Sequence, residues 1–269
     1  MDINRHLTSL QNPVIKNIAL LGAKPRERKD QQLFVAEGLR EVELALSSGF
    51  EMETLLFDEK ITPVTIIENL LQKSVAASTE IIAVTTPVFE KIAYRSGVPN
   101  VVGVFKQKNF NLENIHLQKD PLLLVLENLE KPGNLGAILR TADAAGVDAV
   151  LVCDPQTEVF NPNVIRASLG AVFTVPVVVL SSSEAVAWLK NSGIRIFATW
   201  LEAAQPVYTC NLNQALAFVL GSEATGISGF WVAQSDERII IPMHGQVDSL
   251  NVSASAAIVL FEAVRQRSG

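Results

Sequence analysis

The sequence predicts an α/β protein of two domains, and two observations lead to this fold class. Apolar segments of strand length alternate with segments of helical pattern along most of the 269 residues. A polar, amide-rich stretch, KQKNFNLENIHLQKD, interrupts this alternation before the apolar run LLLVL. We therefore expect a smaller N-terminal α/β domain at 1–107, a linker at 108–119 and a C-terminal domain at 120–269.

The N-terminal domain is predicted to begin with a helix. Asn12 and Pro13 suit the N-cap and the first position of a helix that extends to about Leu21. Gly49 suits the position after a later helix, because glycine adopts the left-handed conformation without strain. The other segments, in order, are the strand LFVAEG, the helix LREVELALSS, the strand METLLF, a helix at 64–74, the strand IIAV, a helix beginning at Thr86-Pro87 and the strand NVVGVF. By itself this domain indicates no function.

The C-terminal domain alternates more regularly and is predicted to contain a parallel sheet. Its strands are apolar almost throughout, which is typical of parallel sheets that carry helices on both faces. Strands are expected near 121–126, 148–152, 175–180, 194–199, 216–220 and 238–241. Helices are expected near 134–146, 162–168, 183–191, 228–234 and 251–266. Ligands of such sheets bind beyond the carboxyl ends of the strands, so the loops that follow them are where chemistry is expected.

Composition and cysteine use narrow the functional classes. No apolar run reaches the ~18–20 residues that span a bilayer, and the first residues lack the apolar core of a secretory signal. Cys153 and Cys210 lie far apart without a CxxC pattern, which argues against a disulfide framework or a zinc site. We therefore expect a soluble cytoplasmic protein with no membrane partner and no metal.

The distribution of charge is uneven. The whole net charge of −6 lies in residues 120–269, whereas six basic and three acidic side chains occur in the first 30 residues. Phosphate binding depends on local basic patches more than on the charge of the whole chain. The cluster at Lys24, Arg26, Arg28 and Lys29 is thus compatible with an RNA contact or with a solvated loop.

Three loops of the C-terminal domain carry polar residues of chemical interest. In EKPGNLGAILRTADAAG, Asn134 suits the cap of a helix that carries Arg140. In LGSEATGIS, Glu223 is expected beside the carboxyl edge of the sheet. In IPMHGQVDSLNVSASAAIVLFEAVRQR, Ser249 and Asn251 precede a long helix. Each loop alone also fits a purely structural role, as a capped helix, a capping carboxylate or a close helix-packing site.

Together and in this order, NLGAILRTA, LGSEATGIS and the third segment resemble the three motifs of the SpoU (TrmH-type) RNA ribose 2′-O-methyltransferases. The resemblance covers about 150 residues and implies the deep trefoil knot of the SPOUT class. The stretch from Asn12 to Gly49, including RKDQQLFVAEG, is similar to a substrate-binding domain found in many members, which resembles RNA-binding ribosomal proteins. This second similarity favours an RNA contact for the basic cluster at Lys24–Lys29.

The resemblance implies a site for S-adenosylmethionine in the knot, held mostly by main-chain groups of loops that follow three strands. Main-chain N–H and C=O groups satisfy the edges of an adenine, and apolar side chains cover its faces. The chain has no GxGxxG fingerprint, which argues against a Rossmann-type methyltransferase. The positions that the resemblance assigns to the cofactor are Thr199, Trp200, Leu201, Leu220, Gly221, Ile241, Met243 and Leu250.

The resemblance also implies the catalytic residues. Arg140 activates the ribose 2′-hydroxyl, either as a base or as a fixed cation that stabilises the developing alkoxide. A guanidinium keeps its proton near neutral pH, which favours the second role. Asn134 orients the ribose or the arginine, and Glu223 holds Arg140 or a loop in place. Ser249 and Asn251 complete the hydrogen bonds around the nucleophile.

RNA is the implied substrate, with ribosomal RNA preferred over transfer RNA because of the N-terminal domain. The implied homodimer would pair the knotted domains, so that each site borrows residues from its neighbour. The last helix carries an apolar stripe compatible with a dimer or with packing inside one chain, formed by Ala254, Ala257, Ile258, Phe261 and Val264. The alternatives are a tRNA ribose methyltransferase, a knotted enzyme acting on a base nitrogen, and a catalytically silent RNA-binding or ribosome-assembly protein.

Overall fold

The computed structural model describes residues 3–74, 79–94, 100–108, 110–202, 204–247 and 249–268. The chain forms two compact units. Unit 1 comprises Met1–Lys108 with Phe160–Thr174, and unit 2 comprises Asn109–Val159 with Val175–Gly269. In the described part of the chain, no helix is long and apolar enough to cross a membrane.

The strands form two sheets, one in each unit. In chain order they are β1 (Arg5–Leu7), β2 (Leu33–Glu37), β3 (Met52–Asp58), β4 (Glu80–Val84), β5 (Val101–Lys106), β6 (Leu122–Glu127), β7 (Ala149–Cys153), β8 (Val177–Leu180), β9 (Arg195–Thr199), β10 (Gln205–Pro206), β11 (Leu216–Leu220) and β12 (Glu237–Ile240). The sheet of unit 1 has the order β1-β4-β3-β5-β2, with β5 antiparallel to both neighbours. The sheet of unit 2 has the order β10-β12-β9-β11-β6-β7-β8 and is parallel throughout. The predicted parallel sheet is thereby confirmed.

The helices alternate with these strands. They are α1 (Pro13–Ala23), α2 (Pro25–Gln31), α3 (Leu39–Ser47), α4 (Val64–Leu71), α5 (Thr86–Ile92), α6 (Pro132–Ala145), α7 (Pro162–Ser168), α8 (Ala171–Thr174), α9 (Ser182–Asn191), α10 (Gly229–Gln234) and α11 (Val252–Arg267). The Asn12 side chain accepts a hydrogen bond from Val14 N at 2.9 Å, as predicted for the cap of α1. Short 3₁₀ turns lie at Leu112–Asn114 and Val207–Thr209.

The core of unit 1 contains a cluster of phenylalanines that includes residues from 160–174. The Phe34 ring stacks on Phe160 and Phe173 with centroid distances of 4.6 and 5.6 Å, and Phe50 meets Phe173 edge to face at 5.2 Å. The chain thus leaves unit 1 after Lys108, which lies inside the predicted linker. It returns to unit 1 at Phe160–Thr174, a segment that the sequence predicts in the C-terminal domain. The domain boundaries at 107 and 120 stay a prediction.

The sheet of unit 2 positions the loops of interest. Its central strands β6 and β11 are buried along their whole length. Strands β12, β9 and β11 are consecutive neighbours and run in the same direction, so their carboxyl ends lie side by side. The loops that follow them therefore meet at one edge of the sheet.

Candidate functional site

A cavity of about 520 Å³ lies at the carboxyl ends of β9, β11 and β12. Its walls come from the three loops that follow these strands and from the start of α11. All residues that the resemblance assigns to the cofactor line this one cavity: Thr199, Trp200, Leu201, Leu220, Gly221, Ile241, Met243 and Leu250. The structure thus brings together side chains that are up to 51 positions apart in the sequence, from Thr199 to Leu250.

The cavity offers main-chain groups to a ligand. The backbone groups of Ile241, Met243 and Leu250 make no hydrogen bond to another described residue, so their N–H and C=O groups are available. The Thr199 hydroxyl donates to the Val219 carbonyl at 2.9 Å and holds the ends of β9 and β11 together. Apolar side chains next to open backbone groups suit a flat ligand with polar edges.

The loop after β11 folds back tightly on itself. A Cβ atom at Gly221 would lie 1.9 Å from the carbonyl oxygen of Gly226, so only glycine fits there. Gly226 has a φ of +66°, and its N–H donates to the Ser222 carbonyl at 2.9 Å. This turn places Glu223 at the edge of the cavity.

Glu223 is the centre of a polar network. Its carboxylate forms an ion pair with Lys131 and accepts a hydrogen bond from Asn251 Nδ2, which also donates to Asn134 Oδ1 at 3.2 Å. The hydrogen bond from Lys131 lowers the pKa of the Glu223 carboxyl below its ordinary value, and the amides of Asn134 and Asn251 lower this pKa further. The network joins the beginnings of α6 and α11 to the loop after β11.

The structure corrects the predicted cap of α6. The helix begins at Pro132 after Lys131, and Asn134 is its third residue, so Asn134 does not cap it. Its side chain instead reaches Asn251. Asn251 is the N-cap of α11, and its Oδ1 atom accepts a hydrogen bond from Ser253 N at 3.0 Å.

Ser249 lines the cavity, whereas Arg140 does not. With 3.6 residues per turn, positions 134 and 140 point about 120° apart around α6. Arg140 is exposed and makes no hydrogen bond or ion pair with a residue in the described ranges. Within a single chain, the Glu223 carboxylate contacts Lys131 and does not contact Arg140.

Three residues at this edge of the sheet were not singled out from the sequence. Lys131 lies three residues before Asn134, the first residue of the NLGAILRTA motif. Glu202 lines the cavity directly after the predicted 199–201 segment. Glu127 is buried at the end of β6 and accepts hydrogen bonds from Ser228 N at 2.6 Å and Ser228 Oγ at 2.7 Å. A charged residue at the end of an apolar strand was the available signal for Glu127.

The basic cluster of unit 1 divides into exposed and buried members. Lys24, Arg26 and Lys29 are exposed, and Arg26 pairs with Asp30 at 3.3 Å. The prediction for Arg28 is wrong for this structure: its side chain is 1% exposed and donates to the Leu21 carbonyl at 2.5 Å. Arg28 satisfies the carbonyl groups at the end of α1, which is a structural role.

His244 and Cys153 do not line the cavity. His244 is exposed in the loop after β12 and has no hydrogen-bond partner among the described residues. Burial raises the pKa of the Cys153 thiol to about 12, so this thiol stays protonated. In the described ranges, no group of three or more His, Cys, Asp and Glu side chains is placed to hold a metal ion.

Comparison with protein families gives two matches that together span most of the chain. Residues 121–261 match the model of the SpoU rRNA Methylase family. Residues 12–103 match the MRM3-like substrate binding domain.

Individual proteins match over nearly the full chain. The 23S rRNA (guanosine(2553)-2′-O)-methyltransferase RlmP of Bacillus subtilis is 30% identical over 96% of this chain and 98% of its own. The 23S rRNA (uridine(2479)-2′-O)-methyltransferase of Streptomyces viridochromogenes is 30% identical over 93% and 88% of the two chains. The crystal structure of an AdoMet-bound rRNA methyltransferase from Sinorhizobium meliloti is 31% identical, with a TM-score of 0.88 and 97% of each chain covered.

Proposed function

Because this chain belongs to the SpoU rRNA methylase family, we propose that it transfers a methyl group from S-adenosylmethionine to a ribose 2′-hydroxyl of ribosomal RNA. The observation that carries this proposal is the cavity at the ends of β9, β11 and β12, around which the whole set of residues expected for the cofactor lies. The family implies the trefoil knot of the SPOUT class. Both relatives named above are ribose methyltransferases of 23S rRNA.

The cavity fits the cofactor. Its volume of about 520 Å³ lies within the usual range for sites of small organic ligands. The open backbone groups of Ile241, Met243 and Leu250 suit the edges of an adenine. S-adenosylmethionine supplies an electrophilic methyl group on a positively charged sulfur, and the carboxylates of Glu202 and Glu223 in the cavity wall favour a cationic ligand.

We assign the reaction chemistry to the polar residues around this cavity. A ribose 2′-hydroxyl is a weak nucleophile near neutral pH, so the site must stabilise negative charge on its oxygen. Arg140 is the fixed cation that does so, since its guanidinium stays protonated. The amides of Asn134 and Asn251 and the Ser249 hydroxyl position the ribose, and Glu223 holds the two amides in place through the contacts described above.

Arg140 is absent from the cavity of its own chain, and this supports a homodimer in which Arg140 enters the site of the second copy. The apolar stripe of α11 supports the same conclusion. The face of α11 buried within the chain is formed by other residues, among them Ala256, Val259 and Leu260. Phe261 is 47% exposed and Ala254 is also exposed, so part of the stripe is left for a partner.

Ribosomal RNA is preferred over transfer RNA as the substrate because the two full-length relatives act on 23S rRNA. The match of residues 12–103 to a substrate-binding domain supports RNA capture by unit 1. The exposed Lys24, Arg26 and Lys29 are proposed to contact phosphates there. A ribosomal substrate also supports the expected cytoplasmic location.

Calorimetry of the full-length protein tests the cofactor site. S-adenosylmethionine is expected to bind without an added divalent ion, because the three loops that line the cavity all belong to one chain. Arg140→Ala is the matched control and should bind with little change in affinity, since Arg140 is assigned to the ribose oxygen and not to the adenosyl group. A folded protein that releases no heat with the cofactor, or that needs a divalent ion, would contradict the proposal.

A further inference from the structure

Unit 1 contains a second cavity, of about 530 Å³, which the proposed reaction does not use. Its walls come from the end of α1, the start of α2, the end of α5 and the start of α7, together with β2. Polar and apolar groups both line it. Its size suits one nucleotide-sized ligand.

Tyr94 forms an aromatic wall of this cavity. The side chain is 75% exposed, which is unusual for so large an apolar ring. The Arg166 guanidinium lies over the ring, 4.1 Å from its centroid, and Arg166 also donates to Asn163 Oδ1. The Tyr94 N–H donates to Glu37 Oε2 at 2.6 Å and fixes the backbone that carries the ring.

The charges around this cavity favour an anion. Among the described residues that line it, Lys91 and Arg166 are cationic and Glu37 is acidic, and the guanidinium of Arg28, which also lines it, is already bound to carbonyls of α1. That carboxylate already accepts hydrogen bonds from the Tyr94 N–H and from Asn100 Nδ2, the latter at 3.0 Å. Without Arg28, the two cations Lys91 and Arg166 still outnumber Glu37, whose carboxylate is bound within the protein.

We propose that this cavity binds one unpaired nucleotide of the RNA substrate, with its base stacked on Tyr94 and its phosphate beside Arg166 and Lys91. The proposal rests on the proposed function for its assumption that the substrate is RNA. Proteins recognise single-stranded RNA by stacking bases on aromatic rings and arginine planes and by placing cations along the backbone. The exposed Lys24 and Arg26 lie on the segment that forms one wall and extend the cationic surface.

Substitutions of the full-length protein test this site with a fluorescent single-stranded RNA oligonucleotide as the probe, at fixed salt. Tyr94→Leu removes the aromatic face but keeps an apolar side chain, and Tyr94→Phe keeps the face. Loss of stacking on one base should weaken binding at least about fivefold in Tyr94→Leu. Tyr94→Phe should bind like the wild type. Tyr208→Leu, which changes an exposed tyrosine of unit 2, is the control and should also leave binding unchanged.

A second readout separates this site from the methyl-transfer cavity. For Tyr94→Leu we expect a higher KM for ribosomal RNA, with the affinity for S-adenosylmethionine unchanged. Equal oligonucleotide binding by Tyr94→Leu and the wild type would overturn the nucleotide site while leaving the proposed function standing. If Tyr94→Leu weakens binding but the wild type methylates no RNA, the nucleotide site is supported and the proposed function fails.

Discussion

At the scale of single residues, the polar network around Glu223 shows how few contacts organise the site. Asn251 caps α11 with its Oδ1 atom and donates to Glu223 and Asn134 with its Nδ2 group. One amide thereby sets the start of a helix and the orientation of two candidate catalytic side chains. Arg140 does not take part in this network and is proposed to act as the fixed cation of the reaction.

Substitution of Arg140 tests the assignment of that charge. Arg140→Ala should lower the rate of methyl transfer by about 10²–10³-fold, because loss of one electrostatic stabiliser typically costs that much. Single-turnover assays measure the rate, and the affinity for the cofactor should not change. Arg140→Lys should recover part of the rate if the role is mainly electrostatic, whereas a fully active alanine variant would remove Arg140 from the site.

Lys131 gives a prediction about pH. The ion pair lowers the pKa of Glu223, so the ionised carboxylate and its contacts hold at neutral pH and are lost only as the pH falls below the ordinary range of a glutamate. Lys131→Ala should return this pKa toward its ordinary value. The acid side of the pH–rate profile should then begin at higher pH in Lys131→Ala than in the wild type. Lys190→Ala, which removes a lysine bound to Gln234, is the control and should leave the profile unchanged. Identical pH–rate profiles for Lys131→Ala and the wild type would contradict the role of Lys131 in lowering the pKa of Glu223.

The sequence motifs predict that Asn134, Glu223 and Asn251 lie in one site, but they do not predict the contribution of Lys131. The first three lie in motifs whose order the family resemblance interprets. Lys131 and Glu223 are 92 positions apart, and an exposed ion pair across that separation leaves no pattern in a single sequence. The prediction that Arg28 contacts RNA fails for a related reason. The sequence of a charged segment does not indicate which arginine buries its guanidinium against helix carbonyls.

At the scale of elements, the C-terminal end of α11 is tied to neighbouring loops by one arginine. Arg267 donates to the main-chain carbonyls of Asp120 at 2.6 Å, Leu212 at 3.1 Å and Gln214 at 2.5 Å. Burial lowers the pKa of Arg267, although the group stays cationic. Because α11 begins at Val252 beside the cavity, these contacts hold the helix at the opposite end.

Two arginines of α11 form a matched test of this anchor. Arg267→Ala should lower the free energy of unfolding by about 1.5–3 kcal/mol, as expected for lost hydrogen bonds of a charged group to main-chain carbonyls. Arg265→Ala removes a pair of hydrogen bonds to Glu262 from a side chain that is mostly exposed, and should cost about 0.2–1 kcal/mol. Urea denaturation measures both. Equal losses in the two variants would show that Arg267 is not an anchor.

Most helices and strands were predictable because their apolar spacing matches the period of the element. The strand β1 has three residues at a sheet edge and offers too short a pattern. The sequence does not predict helix α2, because PRERKDQ has no apolar stripe and the buried residue of this helix is Arg28. The membership of 160–174 in unit 1 depends on aromatic contacts between distant residues, which periodicity does not report.

At the scale of the whole molecule, the separation of Arg140 from its own cavity leads to a test of the homodimer. Inactive Arg140→Ala and Asn251→Ala proteins are mixed and allowed to exchange subunits. If Arg140 acts in the site of the second copy, each mixed dimer has one intact site, and about a quarter of wild-type activity should return after random exchange. No recovery, with exchange verified by differently tagged chains, would place Arg140 in the site of its own chain.

Methylation of a ribose oxygen of ribosomal RNA leaves a product that alkali distinguishes from a methylated base. Alkali cleaves RNA through the free 2′-hydroxyl, so a 2′-O-methyl group protects the adjacent phosphodiester. Ribosomal RNA treated with the protein and with labelled S-adenosylmethionine should yield, after alkaline hydrolysis, an alkali-resistant dinucleotide that carries the label. Label recovered in an ordinary mononucleotide would show methylation of a base and would contradict the assignment of the ribose oxygen as nucleophile.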